Sequence, residues 1–177
     1  MLTGLAIGNV ELPIPVLTGQ SGHFLLAHLM TLIPAVTLLY GVNRGCVTER
    51  VSIRPIHAWD AVYGTCVAAA GVLCALAGYV VFDTSLAIVL GRNLAGYVGL
   101  ALLLKPLLGP QLTGGALAAI PLVLAASGWS AGGVPEPWAW LLHPADSALA
   151  GGAAAAVVCV GAAVSAFWAR PPLIEPT

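Results

Sequence analysis

The sequence predicts an all-α, polytopic membrane bundle, and three observations predict it. Of 177 residues only six are Lys or Arg and seven are Asp or Glu, 7% of the chain, where a soluble domain carries roughly 25%. Hydrophobic residues make up 59%, and the mean hydropathy is +0.97. The few charges are also segregated: residues 12–43, 61–82, 106–135 and 147–169 hold none, and 84–104 holds only Arg92. A small soluble fold has too little polar surface to cover so much apolar material. Disorder needs low hydrophobicity and high net charge, the opposite of this composition. A net charge of −1 leaves no basic footprint for nucleic acid. The four cysteines form no CxxC pair, so neither a zinc site nor a disulfide framework is indicated.

Crossing a hydrocarbon layer of about 30 Å takes roughly 20 helical residues. On that basis residues 1–22 form an extended extracytoplasmic segment, punctuated by Pro13, Pro15, Gly19 and Gly22. Within it, Leu2–Ile7 reads either as a strand or as the remnant of an earlier helix. The transmembrane domain, 23–170, then holds five spans: A near 23–42, B near 60–82, C near 85–105, D near 110–128 and E near 147–168. Residues 171–177 are the tail. No stretch has the basic region and cleavage pattern of a signal peptide. A span encoded upstream would raise the count to six.

Orientation follows from the basic residues. Arg44, Arg50 and Arg54 lie between A and B, Lys105 between C and D, and Arg170 after E. Alternating spans put all five on one side, which the positive-inside rule makes the cytoplasm. The expected location is therefore the cytoplasmic membrane, with the N-terminus outside and the C-terminus inside.

Span B places Gly64, Ala68, Gly71, Ala75 and Gly78 on one helical face, a surface that lets helices approach closely in lipid. Span E repeats the theme at Gly151, Gly152, Ala155 and Gly161, predicting packing within the bundle or against another subunit. Pro34 in A and Pro121 in D predict kinks. The stretch 129–146 gathers Trp129, Trp138, Trp140, His143 and three prolines. It reads as an interfacial anchor, since indole rings favour that boundary, or as an external gate.

Arg92, with Asn93 beside it, is the candidate functional polar pair. An intramembrane charge is costly and turns to the bundle interior, a partner or water. Asp83 and Asp146 are the expected partners. The alternative is that C begins near Arg92 after a re-entrant stretch, Ser85–Gly91, which makes the charge interfacial.

Catalytic patterns do not accumulate. Gly19-Gln20-Ser21-Gly22 matches a GxSG of intramembrane serine proteases, but no histidine sits in a later span to take the serine proton. Its Gly and Ser suit the cap at the start of span A. His28 alone inside a span does not make a haem site, and Cys66, Cys74 and Cys159 read as small apolar fillers. There is no Gly–Lys pair and hence no P-loop. The expectation is a non-enzyme without catalytic residue, cofactor or metal.

The A–B loop, Asn43–Asp60, carries Arg44, Glu49, Arg50 and Arg54. It serves as a topology determinant against anionic headgroups or as a docking element for a cytosolic partner.

Several stretches resemble actinobacterial ABC transporter permease-like proteins of the export (ABC-2) type. They are Val10-Glu11-Leu12-Pro13-Ile14-Pro15 with Thr18-Gly19, Arg54-Pro55 with Asp60, Gly91-Arg92-Asn93-Leu94 with Gly96 and Gly99, and Pro137-Trp138-Ala139-Trp140 with His143-Pro144-Ala145-Asp146. The resemblance implies a permease half of about six spans that pairs with itself or a sister subunit. It also implies a separate ATPase docking at Asn43–Asp60 and near Pro106–Gln111. The competing expectation is a non-catalytic assembly or immunity-type membrane protein whose work is helix packing through Gly64, Gly71 and Gly78.

Overall fold

A computed structural model describes residues 11–15, 21–25, 27–42, 56–130 and 132–167. Two short strands, β1 (Glu11–Pro15) and β2 (Ser21–Leu25), pair antiparallel with Glu11 opposite Leu25 and Pro15 opposite Ser21. Helices follow: α1 (Ala27–Met30), α2 (Leu32–Val42), α3 (Ile56–Phe82), α4 (Leu86–Leu108), α5 (Pro110–Ser127) and α6 (Ala148–Phe167). A short 3-10 turn, Trp140–Leu142, lies between α5 and α6. The described chain is thus a helical membrane bundle with a small hairpin at one end.

Spans B to E appear within a few residues of their expected limits, as the stretches Ala58–Phe82, Leu86–Leu108, Pro110–Ser127 and Ala148–Phe167, all long and apolar enough to cross a membrane. Span A departs from expectation. Residues 21–25 are strand rather than helix, so Ser21 opens β2 and does not stand at the start of a helix. The helix that follows breaks at Thr31 into a four-residue and an eleven-residue piece. The physical reason is local: Pro13 and Pro15 favour an extended backbone in β1, and β2 pairs with it antiparallel. The break also changes the reading of Pro34. It falls in the first turn of α2, where its missing N–H has no helical acceptor to lose, so it starts a helix rather than kinking one.

The link between α3 and α4 is as short as the span limits predict, and the one between α4 and α5 is shorter. Asp83 adopts φ +47 between α3 and α4, its N–H bonded to Tyr79 O at 2.9 Å, and the chain turns within three residues. Between α4 and α5 only Gly109 intervenes, at φ +80. A side chain at that backbone geometry is strained, so glycine is required there. Pro106–Gln111 is therefore a helix end, a one-residue corner and a helix start. Likewise Ile56–Asp60 of the expected A–B loop already belongs to α3. Arg44, Glu49, Arg50 and Arg54 lie outside the described residues.

The helix α4 is the hub. It packs on α2, α3, α5 and α6, and 83% of its membrane-length window is buried, against 17% for α3 and 22% for α6. Yet α4 is the less apolar, with hydropathy 1.7 against 2.1 and 2.0. In water the most apolar helix takes the centre; here the most apolar helices face outward, as lipid requires. Exposed Val72, Leu73, Val80 and Val81 on α3 illustrate it, a patch a water-soluble surface does not sustain. Exposed Trp59 and Tyr79 lie 20 residues apart on α3, about 30 Å at 1.5 Å per residue, which matches the hydrocarbon thickness and places an aromatic ring at each boundary.

Packing against the hub runs through missing side chains. Gly64 sits under Leu102, and a Cβ there would come within 2.8 Å of Leu102 Cδ2; Gly71 sits under Leu94 in the same way. Gly78 is half-buried at the end of that face. On the opposite flank Gly99 lies against the backbone of Val157 and Val158, and Gly161 lies against Gly99 O. On α6 the buried face is Ala150, Ala154, Gly161 and Ser165. Gly151, Gly152 and Ala155 are not part of it, so the small face expected from those residues is not where α6 meets the bundle.

Candidate functional site

Arg92 and Asn93 are where the hub departs from apolar packing. Arg92 is 7% exposed and Asn93 fully buried, on the second turn of a helix that runs unbroken from Leu86, so no re-entrant segment precedes them. Helical side chains lean toward the N-terminus. The guanidinium therefore climbs from six residues into α4 back toward the end of the bundle that carries residues 128–147.

That segment folds down to meet it. Gly128 N–H closes α5 on Leu124 O, Ser130 N–H and Gly133 N–H form a turn on Val134 O and Ser130 O, and Glu136 N–H returns to Gly128 O. Leu141 and Leu142 of the 3-10 turn are buried. Arg92 Nη1 donates to Pro144 O at 2.8 Å, Arg92 Nη2 donates to His143 O at 2.6 Å, and Asn93 Nδ2 donates to Leu141 O at 3.1 Å. Arg92 Nε donates to Asn93 Oδ1 at 3.3 Å. One turn further on, the Trp140 ring occupies the space that a side chain at Gly96 would need. The far side of the segment is tied by His143, whose Nε2 lies 3.1 Å from Glu136 O and whose Nδ1 lies 3.3 Å from Ser147 Oγ. Ser147 Oγ in turn accepts from Ala150 N–H in the first turn of α6.

The expected partners of Arg92 are thus corrected. Neither Asp83 nor Asp146 pairs with it; it holds backbone carbonyls. Pro135, Pro137 and Pro144 bring carbonyls without a matching N–H, so the segment carries more acceptors than donors. A forked cation and an amide supply the deficit. The Trp/Pro segment is accordingly a folded cap fastened to the hub, with Trp138 left exposed.

A second pair was not expected. Lys105 Nζ meets Asp60 Oδ2 at 2.8 Å, tying α4 to α3 at the opposite end, both groups less than one-fifth exposed. Tyr97 is fully buried in the hub, and neither its hydroxyl nor Trp129 Nε1 has a hydrogen-bond partner among the described residues. Cys66, Cys74 and Cys159 are exposed rather than filling the core. Among the described residues no group of three His, Cys, Asp or Glu side chains converges.

Beside the clamp lies a lateral cleft of about 600 Å³. Its walls are α3 (Val72, Leu76) and α6 (Gly151, Ala155), and its floor is α4 at Ala95 and Arg92. Gly151 and Ala155, read in the sequence as part of a packing face, keep this side of α6 low; beyond α6's own backbone, no heavy atom comes within 4 Å of where a Cβ at Gly151 would stand. The volume falls within the range of small-molecule pockets. Among the described residues that line it, Arg92 is the charged one.

Compared with protein-family models, with curated proteins and with solved structures, the chain matches none of them. Fold and site together define a membrane-embedded helical protein with a central hub, a cap fastened to it and a lateral cleft.

Proposed function

We propose that this chain is a permease-like membrane subunit of a transporter, moving a cargo through helix rearrangement while a separate cytosolic ATPase supplies the energy. The observation that carries the reading is the cleft: it reaches from the membrane-facing surface of α3 and α6 to a buried cation on the hub. Helices that only fill space close such a gap, because association in lipid depends on packing. A low-walled cleft ending on a charge suits a membrane-soluble cargo.

The resemblance of Gly91-Arg92-Asn93-Leu94 and Pro137-Trp138-Ala139-Trp140 to export permeases supports the same reading. So does the gathering of Arg44, Arg50, Arg54, Lys105 and Arg170 on one expected side, which orients the chain in the cytoplasmic membrane with its N-terminus outside. The ATPase then docks at Asn43–Asp60, and a second membrane subunit, identical or related, covers part of α3 or α6. No catalytic step is assigned to the chain itself.

One observation favours a second reading, the non-catalytic assembly protein: the contacts of Gly64, Gly71, Gly99 and Gly161 interlock three helices tightly. The two readings separate in one experiment. A transport subunit loses transport with Arg92→Leu while still assembling, and it is recovered from mild detergent with a nucleotide-binding partner. An assembly protein tolerates Arg92→Leu, fails with bulky residues at Gly71 or Gly78, and is recovered without such a partner.

A further inference from the structure

We infer that the cleft between α3 and α6 binds an anionic bilayer lipid, with an acyl chain along the walls and its phosphate on Arg92. The inference names the cargo or ligand class of the cleft and so rests on the reading of that cleft as a binding site. It does not depend on an ATPase.

Charge is the first argument. The hydrogen bonds of Arg92 go to two backbone carbonyls and a side-chain amide. These satisfy donors, but a neutral carbonyl does not cancel a charge. Among the described residues the ion pair is Lys105–Asp60, at the opposite end of the hub. The guanidinium is 7% exposed, and no carboxylate of the described residues lies within 4 Å to balance its charge, so an anion at this position gains a buried, hydrogen-bonding cation.

Geometry is the second. A guanidinium has five N–H groups, and the three bonds above leave one on Nη1 and one on Nη2. Each can donate one charge-assisted hydrogen bond to a phosphate oxygen. The side chain borders the cleft, so an anion that reaches it lies at the cleft's head.

Shape selects the rest of the ligand. Below Arg92 the cleft is walled by Leu76, Val72 and Ala155, with Thr65 as the other polar residue in its lining, far along α3. From Leu76 to Thr65 is 11 residues, or about 16 Å of helix at 1.5 Å per residue. A long apolar trough with a cation at one end complements a phospholipid: headgroup near the cap, chain directed toward the bilayer centre. Water-soluble phosphates share the head chemistry but leave the trough unfilled.

The test uses the full-length chain reconstituted in vesicles of equal phosphatidylglycerol and phosphatidylcholine, then extracted in mild detergent and examined by native mass spectrometry for retained lipid. The wild type is expected to retain phosphatidylglycerol about tenfold over phosphatidylcholine, and added inorganic phosphate is expected not to displace it. Arg92→Gln should abolish the preference, and Arg92→Lys should keep part of it. Ala155→Phe, which fills the trough without touching the clamp, should reduce retention of both lipids. Equal retention of the two lipids by the wild type, or undiminished retention by Ala155→Phe, overturns the inference, even if Arg92→Gln fails to fold. Displacement by inorganic phosphate alone also overturns it, in favour of a soluble anion. An ATPase partner recovered without lipid preference leaves the transport reading standing and refutes the lipid site. Lipid preference without an ATPase partner supports the lipid site and refutes the transport reading.

Discussion

Replacing Gly99 by alanine should weaken the bundle through a single methyl group. A Cβ built at Gly99 stands 2.7 Å from Val158 N, 2.8 Å from Val158 Cα and 2.9 Å from Val157 C. Non-bonded carbon contacts sit near 3.5–4.0 Å, so the deficit is about 0.7–1 Å. All three atoms belong to the backbone of α6, and no side-chain rotation can relieve them. The helices must part, which also loosens Gly161 from Gly99 O on the same interface. Overpacking of this kind costs about 1–3 kcal/mol, a factor of roughly 5 to 150 in the folding equilibrium. Equilibrium unfolding in mixed micelles of dodecyl maltoside and SDS, followed by circular dichroism, reads the change. Gly151→Ala is the control: no heavy atom lies within 4 Å of its Cβ position, and its effect should stay within about 0.5 kcal/mol. If Gly99→Ala unfolds at the same SDS fraction as Gly151→Ala, the close approach of α4 and α6 is not what holds this interface.

Other perturbations have equally definite outcomes. Gly96→Leu should expel the Trp140 ring, whose Cζ3 would lie 2.7 Å from the new Cβ, and red-shift tryptophan emission; unchanged emission refutes the packing of the cap on α4. Arg92→Gln removes the two bonds to His143 O and Pro144 O. Charge-assisted bonds are worth about 1.5–3 kcal/mol each in soluble proteins but less between membrane helices, so a loss of about 1–4 kcal/mol and faster proteolysis after Trp138 are expected. Lys105→Met should cost about 1 kcal/mol by leaving Asp60 half-buried and unpaired, and Asp60→Asn in the same chain should recover most of it. Pro34→Ala should change the unfolding midpoint little, because Pro34 occupies the first turn of α2; a large loss there would restore the kink reading.

Much of the fold was legible because charge is scarce. Four of the five spans were bounded by the positions of Asp60, Asp83, Lys105, Glu136 and Asp146, since a charge inside the hydrocarbon is expensive enough to mark an edge. The face of Gly64 and Gly71 was legible too, because helical spacing alone aligns them. Span A was not: hydropathy over 23–42 does not distinguish a helix from a strand that turns back on a proline-rich partner, and the register of β1 on β2 is a long-range fact.

At the site the residue was legible and its partner was not. Arg92 stood out as the charge inside a span, but charge arithmetic directs attention to carboxylates, whereas the groups that hold it are the main-chain carbonyls of His143 and Pro144, with Asn93 holding that of Leu141 alongside. Every residue has a carbonyl, so composition is silent about which ones are free. The cleft was hidden for a similar reason. Gly151, Gly152 and Ala155 signal that space is available on α6; whether a neighbouring helix fills it depends on where α3 runs.

We propose that the chain works as the membrane subunit of a powered transporter. The most direct measurement is affinity purification of the tagged, full-length chain from native membranes in mild detergent, with the co-purifying proteins identified and quantified. A transporter subunit should bring down a P-loop ATPase in near-stoichiometric amount, lost when Arg50 and Arg54 are replaced together. Recovery of the chain with only copies of itself, and no nucleotide-binding protein, would contradict it.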